Sequence, residues 1–270
     1  MNKDRKIKEI RRWYNNKVLY NVIAKLKGKE VSFLSKKKAT RCIKAHAVKY
    51  LLKNMAVYNF TKEPQNIYYS LANLNCMPMF SYAWDKRKKQ QKEFNEDFKN
   101  YVSSIDIGFD FDNHDKNKKG LKQAYNDTKK VKQLFDQYGV PYEIKSSGSG
   151  FHININGKYL IDLQYYNINE QLQLFDKMIN QLKIILDLKS LDTSVTDLRR
   201  IWKAPYTYDI KSGNIALPLT DEQFENFDEK ILKPEYIKNN IKLFKRGNLE
   251  RNRYKYKALG KFIADYIELE

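Results

Sequence analysis

The chain of 270 residues is 42 % hydrophobic and 14 % aromatic, which excludes wholesale disorder and suits one large core, or a catalytic domain with a small helical appendage. Its formal net charge of +19 makes a nucleic acid or another polyanion the natural partner, against the plainer reading of a Lys-rich solvated surface from an AT-rich genome. Only Cys42 and Cys76 are present, with no Cys-x-x-Cys pair and no apolar run of membrane-spanning length; the expectation is a soluble cytoplasmic protein (nucleoid-associated if prokaryotic) with no membrane partner and no cysteine zinc site.

Residues 1–53 carry 17 Lys or Arg against 3 acidic residues. Within them Ile7, Ile10, Tyr14, Val18, Val22 and Leu26 recur at helical spacing, predicting an amphipathic helix over 4–27 that Gly28 ends. Short strands are expected over 30–34 and 39–45, joined by a turn at Lys36, Lys37 and Lys38. A short helix over 46–58 precedes a break at Pro64, the aromatic-rich stretch 66–74 reads as a strand, and 84–101 reads as a highly charged helix. Residues 103–112 then alternate apolar and acidic side chains at the period of a strand, so Asp106, Asp110 and Asp112 project from one face. Strand rise sets the last two carboxylates about 7 Å apart. Like charges that close repel unless a cation or a proton neutralises them.

A helix is expected over 120–138, carried by Leu121, Ala124, Thr128, Val131, Leu134 and Phe135 and closed by Gly139 and Pro141. Strands over 142–145 and 151–156 flank a tight turn at 146–150, and a helix covers 168–187. The stretch 189–219 is irregular, with short strands near 193–195 and 215–217. Helices follow over 221–227, 234–245 and 250–268, the last two within a second basic stretch, 230–261, with 11 Lys or Arg against 2 acids. Basic flanks around an acidic centre suit a polyanion led past a cation-binding site.

Three segments stand out chemically. The first is the acidic strand. The second is the turn Ser146-Ser147-Gly148-Ser149-Gly150, followed by Phe151-His152. Its glycines and serines offer backbone N–H groups and hydroxyls in a concavity, the composition of an anion nest, with the imidazole at the start of the next strand. Alone, such a turn is more often a flexible hairpin, and a lone His is more often a satisfied core residue. The third places Leu191-Asp192 before Val195-Thr196-Asp197-Leu198-Arg199-Arg200-Ile201-Trp202-Lys203-Ala204-Pro205, where Asp192 by itself reads as a turn or capping residue.

Taken in order, Asp110-Phe111-Asp112, then the Ser147-to-His152 turn, then Leu191-Asp192 with its basic and aromatic continuation resemble the Asp-x-Asp, Ser-x-Gly-x-His and hydrophobic-Asp motifs of the archaeo-eukaryotic primase superfamily. The stretch 197–213, the Glu30-Val31-Ser32-Phe33 segment and residues 66–72 add to this, and the resemblance covers roughly 29–219. It implies an α+β fold: a mixed α/β primase catalytic core with an RRM-like sheet and flanking helices, over 1–225. A basic helical segment would occupy 226–270, as an extension or packed on the same domain.

The resemblance further implies that Asp110, Asp112 and Asp192 are catalytic and bind Mg²⁺ or Mn²⁺ in a two-metal site, with no zinc. Ser147, Gly148, Ser149, Gly150, His152, Lys203 and Arg41 would contact the nucleotide, and Arg199 and Arg200 the DNA. The implied activity is template-dependent nucleotidyl transfer, making short primers on single-stranded DNA from nucleoside triphosphates, with a large primase subunit or a helicase as a further partner. The alternatives are a primase-fold repair polymerase extending existing ends, a catalytically inactive DNA-binding relative and a metal-dependent nuclease. The chain departs from the family pattern in having Gly148 and Ser149 where many primases carry an Arg pair, and Asp209 where the family has a His.

Overall fold

The computed structural model describes residues 29–34, 39–44, 66–75, 98–112, 118–157 and 166–240, together with Phe262 and Asp265. The helices expected over 4–27 and 46–58, and most of those over 84–101 and 250–268, lie outside these residues. Among the described residues the strands form two five-stranded sheets, antiparallel throughout. The first contains β1 (Lys29–Leu34), β2 (Ala39–Lys44), β3 (Asn66–Leu74) and β4 (Val102–Ile105) in the order β2-β1-β3-β4, with β9 (Ile201–Lys203) also paired to β3. The second runs β10-β6-β7-β5-β8, from β5 (Ile107–Phe111), β6 (Glu143–Ser146), β7 (Phe151–Ile155), β8 (Leu191–Asp192) and β10 (Pro218–Leu219).

The alternation over 103–112 predicts one strand, but the chain breaks it at Asp106 and passes there from one sheet to the other. β4 pairs with β3, while β5 pairs with β7 and β8. Asp106 is the corner. It is 2 % exposed and accepts from Lys29 Nζ (2.8 Å), Gly157 N (2.8 Å), Asn73 Nδ2 (2.9 Å) and Asn154 Nδ2 (3.3 Å), while its own amide donates to Leu71 O. Four donors on one buried carboxylate make it a tie between the sheets, neither solvated nor left over for a ligand. Burial pushes the Lys29 amine down against the pull of Asp106.

Helix α1 (Lys118–Tyr138) buries Ala124, Val131 and Phe135, the stripe that its 3.6-residue period predicts, and Phe135 meets Phe109 of β5 edge-on at 5.4 Å. Each such side chain, fully buried, contributes about 1.5–3 kcal/mol. Helix α2 (Ile168–Ile185) starts with a complete capping box, Asn167 with Glu170, and buries Phe175, Met178, Ile179 and Leu182. It stops short of the expected 187: Leu186 caps it and Asp187 turns at φ 48°. Short helices α3 (Asp221–Glu225) and α4 (Pro234–Asn239) flank a 3₁₀ turn at Glu229–Leu232. Phe262 is fully buried, its ring against Phe135 and Tyr138 of α1 at 5.3 Å each.

Two local expectations change. Residues 193–195 form a turn instead of a strand, because Asp192 Oδ1 accepts from the Ser194 amide (2.8 Å) and hydroxyl (2.7 Å) and bends the chain at once. Near 215–217, Ile215 makes only an isolated bridge to Tyr208, and the strand falls at β10 instead.

Candidate active site between the sheets

Strand register puts a single row of polar residues across one face of the second sheet. Lys145 of β6 stands opposite His152 of β7, His152 opposite Asp110 of β5, and Asp110 opposite Asp192 of β8. Directly opposed residues share a face, as do residues two apart along a strand, so Asp112 joins this row at the end of β5. The other face carries Phe109, Phe111, Phe151 and Ile153, all fully buried. Alternation therefore separates core from chemistry within each strand.

The first sheet roofs this row with Trp202 of β9 and Tyr69 of β3, which oppose each other. The Trp202 ring lies 4.3 Å from that of His152. It fits because Gly108 has no side chain: a Cβ there would meet Trp202 Cζ2 at 2.2 Å. Lys145, 6 % exposed, lies under the same roof with Nζ 4.9 Å from the Tyr69 ring centroid and 5.8 Å from that of Trp202, and it donates to Lys203 O. Burial drives this amine down to about 7, with Asp110 and Glu143 opposing and Lys203 adding to the shift.

His152 Nε2 comes within 3.3 Å of Asp110 Oδ1, close enough for ionic contact but off the line of a hydrogen bond, so that oxygen is buried without a hydrogen-bond donor. Burial pushes the Asp110 carboxyl up, yet His152, Lys203 and Arg200 outweigh it and hold it below the usual carboxylate range. Burial also pushes the imidazole down, more than Asp110 raises it, with Lys145 and Lys203 assisting.

The turn before β7 is braced. Ser147 N donates to Gly150 O (2.9 Å), and Gly148 N to Ser146 Oγ (3.1 Å). Gly148 adopts φ +92°, and Gly150 crosses Phe111 O so closely that a Cβ would sit 2.2 Å from it; only glycine serves at either place. Ser147 is 1 % exposed and its Oγ has no partner. Lys203 Nζ reaches in from β9 to Ser147 O (3.0 Å) and is ion-paired with the fully buried Asp209 (3.1 Å). Asp209 also accepts from Ser212 Oγ (2.7 Å). Asp209 is thus a partner for Lys203.

Register also places the third carboxylate. Asp127 of α1, fully buried, accepts from both the amide and the hydroxyl of Ser190 (2.8 Å each), and Ser190 O accepts from the Asp112 amide (3.0 Å). Asp112 and Asp192 are both half-buried. Arg200 binds Ser194 through its guanidinium and Asp197 at 3.1 Å, while Arg199 lies 5.6 Å over the Phe98 ring. Arg41 sits on β2, at the end of the first sheet; its side chain lies outside what is described. Of the residues that the sequence singles out, Asp110, Asp112, Asp192, Ser147, Ser149, Gly148, Gly150 and His152 lie on this row or on the turn bordering it, and Lys203 reaches the turn from β9. Lys145 and Trp202 escape a reading by motif, since only the pairing of β6 with β7 sets Lys145 opposite His152.

Among the described residues no three His, Cys, Asp or Glu side chains are gathered as a ready cation cage. The donors that fit a hard divalent ion are nevertheless on one face: the unpartnered Asp110 Oδ1, Asp192 across from it and Asp112 two residues on. Among the described residues no helix is long and apolar enough to cross a membrane.

The two antiparallel sheets and their flanking helices make an α+β fold. No family model and no curated protein matches the sequence. The fold is that of the polymerase domain of Mycobacterium tuberculosis ligase D, solved in complex with DNA, with a TM-score of 0.54 and 12 % identity over 96 % of this chain and 93 % of that one.

Proposed function

We propose that the chain is a template-dependent nucleotidyltransferase of the archaeo-eukaryotic primase superfamily, making short primers on single-stranded DNA from nucleoside triphosphates. The observation that carries this reading is the row Lys145–His152–Asp110–Asp192 with Asp112 beside it, bordered by a glycine turn and Lys203. In the transfer a 3′-hydroxyl gives its proton to water as its oxygen bonds to the α-phosphorus, the bond from that phosphorus to the bridging oxygen of the β-phosphate breaks, and pyrophosphate leaves with the electron pair. Asp110, Asp112 and Asp192 would hold Mg²⁺ or Mn²⁺. Bound there, the ions supply acidification of the hydroxyl and neutralisation of phosphate charge.

The remaining roles belong to the chain's own groups. Ser147, His152 and Lys203, gathered about the glycine turn, would contact the phosphates of the nucleotide. Trp202 and Tyr69 would close its far side over Lys145. The basic flanks, 1–53 and 230–261, would grip template and primer phosphates, giving strongly salt-dependent binding.

The likeness to a ligase D polymerase domain favours a second reading, extension of existing ends. Purified full chain with Mn²⁺ and each nucleotide type is offered unprimed single-stranded DNA and, separately, a primed template. Product on the unprimed strand that Asp110→Ala and Asp112→Ala abolish supports priming. Product only on the primed strand supports extension. No incorporation on either, or incorporation that the substitutions leave intact, overturns the proposal.

A further inference from the structure

The glycine turn is held from behind by a residue that belongs to neither motif. Asn214 is 1 % exposed and closes the hairpin from Asp209, whose amide donates to Asn214 O at 2.8 Å. One hydrogen of its side-chain amide goes to Gly148 O (2.8 Å) and the other to Glu229 Oε1 (3.1 Å), while its Oδ1 accepts from Lys233 Nζ (2.6 Å). An amide has two donor hydrogens and one acceptor oxygen, and here all are used. It can sit only one way round, because a flipped amide would set its oxygen against Gly148 O and Glu229. The same hairpin touches the turn sterically: a Cβ on Gly148 would come within 2.8 Å of Asp209 Cβ and 3.3 Å of Ser212 Oγ. Asp209, at the other end of the hairpin, holds Lys203.

We infer that Asn214 is a positioning residue for nucleotide binding, which fixes the Gly148 carbonyl and couples the turn to Glu229 and Lys233 of the segment beyond residue 225. This rests on the proposed nucleotidyl transfer. A turn carrying φ +92° at Gly148 has other conformations open to it, and the hydrogen bond from Asn214 selects one. The segment after 225 thereby acts on the phosphate contacts without touching them: Lys233 and Glu229 orient the amide, and the amide orients the turn. Lys233 and Glu229 also lie 3.7 Å apart as an ion pair, so the two charges that orient the amide hold each other in place.

The test measures binding of a nucleoside triphosphate with Mn²⁺ by calorimetry, alongside incorporation on primed template, for Asn214→Ala, Asn214→Asp and Lys233→Met. Asn214→Asp keeps the acceptor for Lys233 but loses the donor to Gly148. Expected is a rise of about ten-fold in Kd and in KM for Asn214→Ala and Asn214→Asp, with kcat within about two-fold of wild type. Lys233→Met, at an exposed position that tolerates substitution, should weaken binding less, and its effect should vanish when combined with Asn214→Ala. Unchanged Kd in folded Asn214 variants, or fully additive effects of the two sites, overturns the inference. Should Asn214→Ala fail to fold, unchanged Kd in Lys233→Met overturns it. If the wild-type chain itself binds no nucleoside triphosphate, the proposed function fails first, and visibly so.

Discussion

Asp110 stands directly across the β5–β7 ladder from His152, with its Oδ1 3.3 Å from the imidazole Nε2 and no hydrogen-bond donor to it among the described residues. A buried oxygen held ionised and left unbonded is a group kept for something other than stability. Asp110→Asn should lower incorporation by at least about 100-fold. Chelation of divalent ions should abolish wild-type activity, and Mn²⁺ or Mg²⁺ should restore it. An Asp110→Asn enzyme with near-normal turnover would contradict the metal role.

Lys145 makes stability depend on pH in a direction that can be stated. Burial lowers its amine from 10.5 to about 7. Between those values the unfolded chain carries a proton that the folded chain lacks, so unfolding free energy rises with pH across that window. Each unit of depression corresponds to about 1.4 kcal/mol. Urea titrations at several pH values should show this rise, and Lys145→Met should flatten it. Equal slopes in the two proteins would remove Lys145 as the cause.

Lys29 and Asp106 form a buried pair at 2.8 Å, with side chains 7 % and 2 % exposed. Lys29→Met leaves the carboxylate charged among neutral donors, and should cost about 3–5 kcal/mol. Adding Asp106→Asn should return part of that loss. The denaturation midpoint reads both, and it should respond little to salt because the pair is shielded from solvent.

Gly108→Ala should be far more damaging than its size suggests. Its Cβ would meet Trp202 Cζ2 at 2.2 Å, Cη2 at 2.5 Å and Leu71 Cδ1 at 2.9 Å, all on buried side chains. A cost of about 1–3 kcal/mol is expected from overpacking. Combining it with Trp202→Leu should recover stability, but activity should remain low, since the ring against His152 would be gone.

The central strands are legible from their apolar and aromatic content: β3 falls over the expected 66–74, and the turn between β6 and β7 carries the glycines that announce it. The sequence is silent on partnership. Nothing in 103–112 says that Asp106 faces Lys29, which is 77 residues away, so one strand was expected where the chain changes sheets. Asp192 looked like a turn residue, and it is one; only register with Asp110 makes it a member of the acidic row. Asp209 read as an added negative charge near phosphates, whereas its burial against Lys203 and Ser212 gives that charge a structural use. Lys145 and Asn214 were missed for one reason: their importance lies in what they touch, and neither spacing nor residue type carries that.

Ser190 spends its amide and hydroxyl on Asp127 of α1 and its carbonyl on the amide of Asp112. Asp192, two residues further, is thus held from two sides, by the ladder to β5 and by this tie to α1. A substitution at Asp127 should therefore be felt at the acidic row as well as in the core.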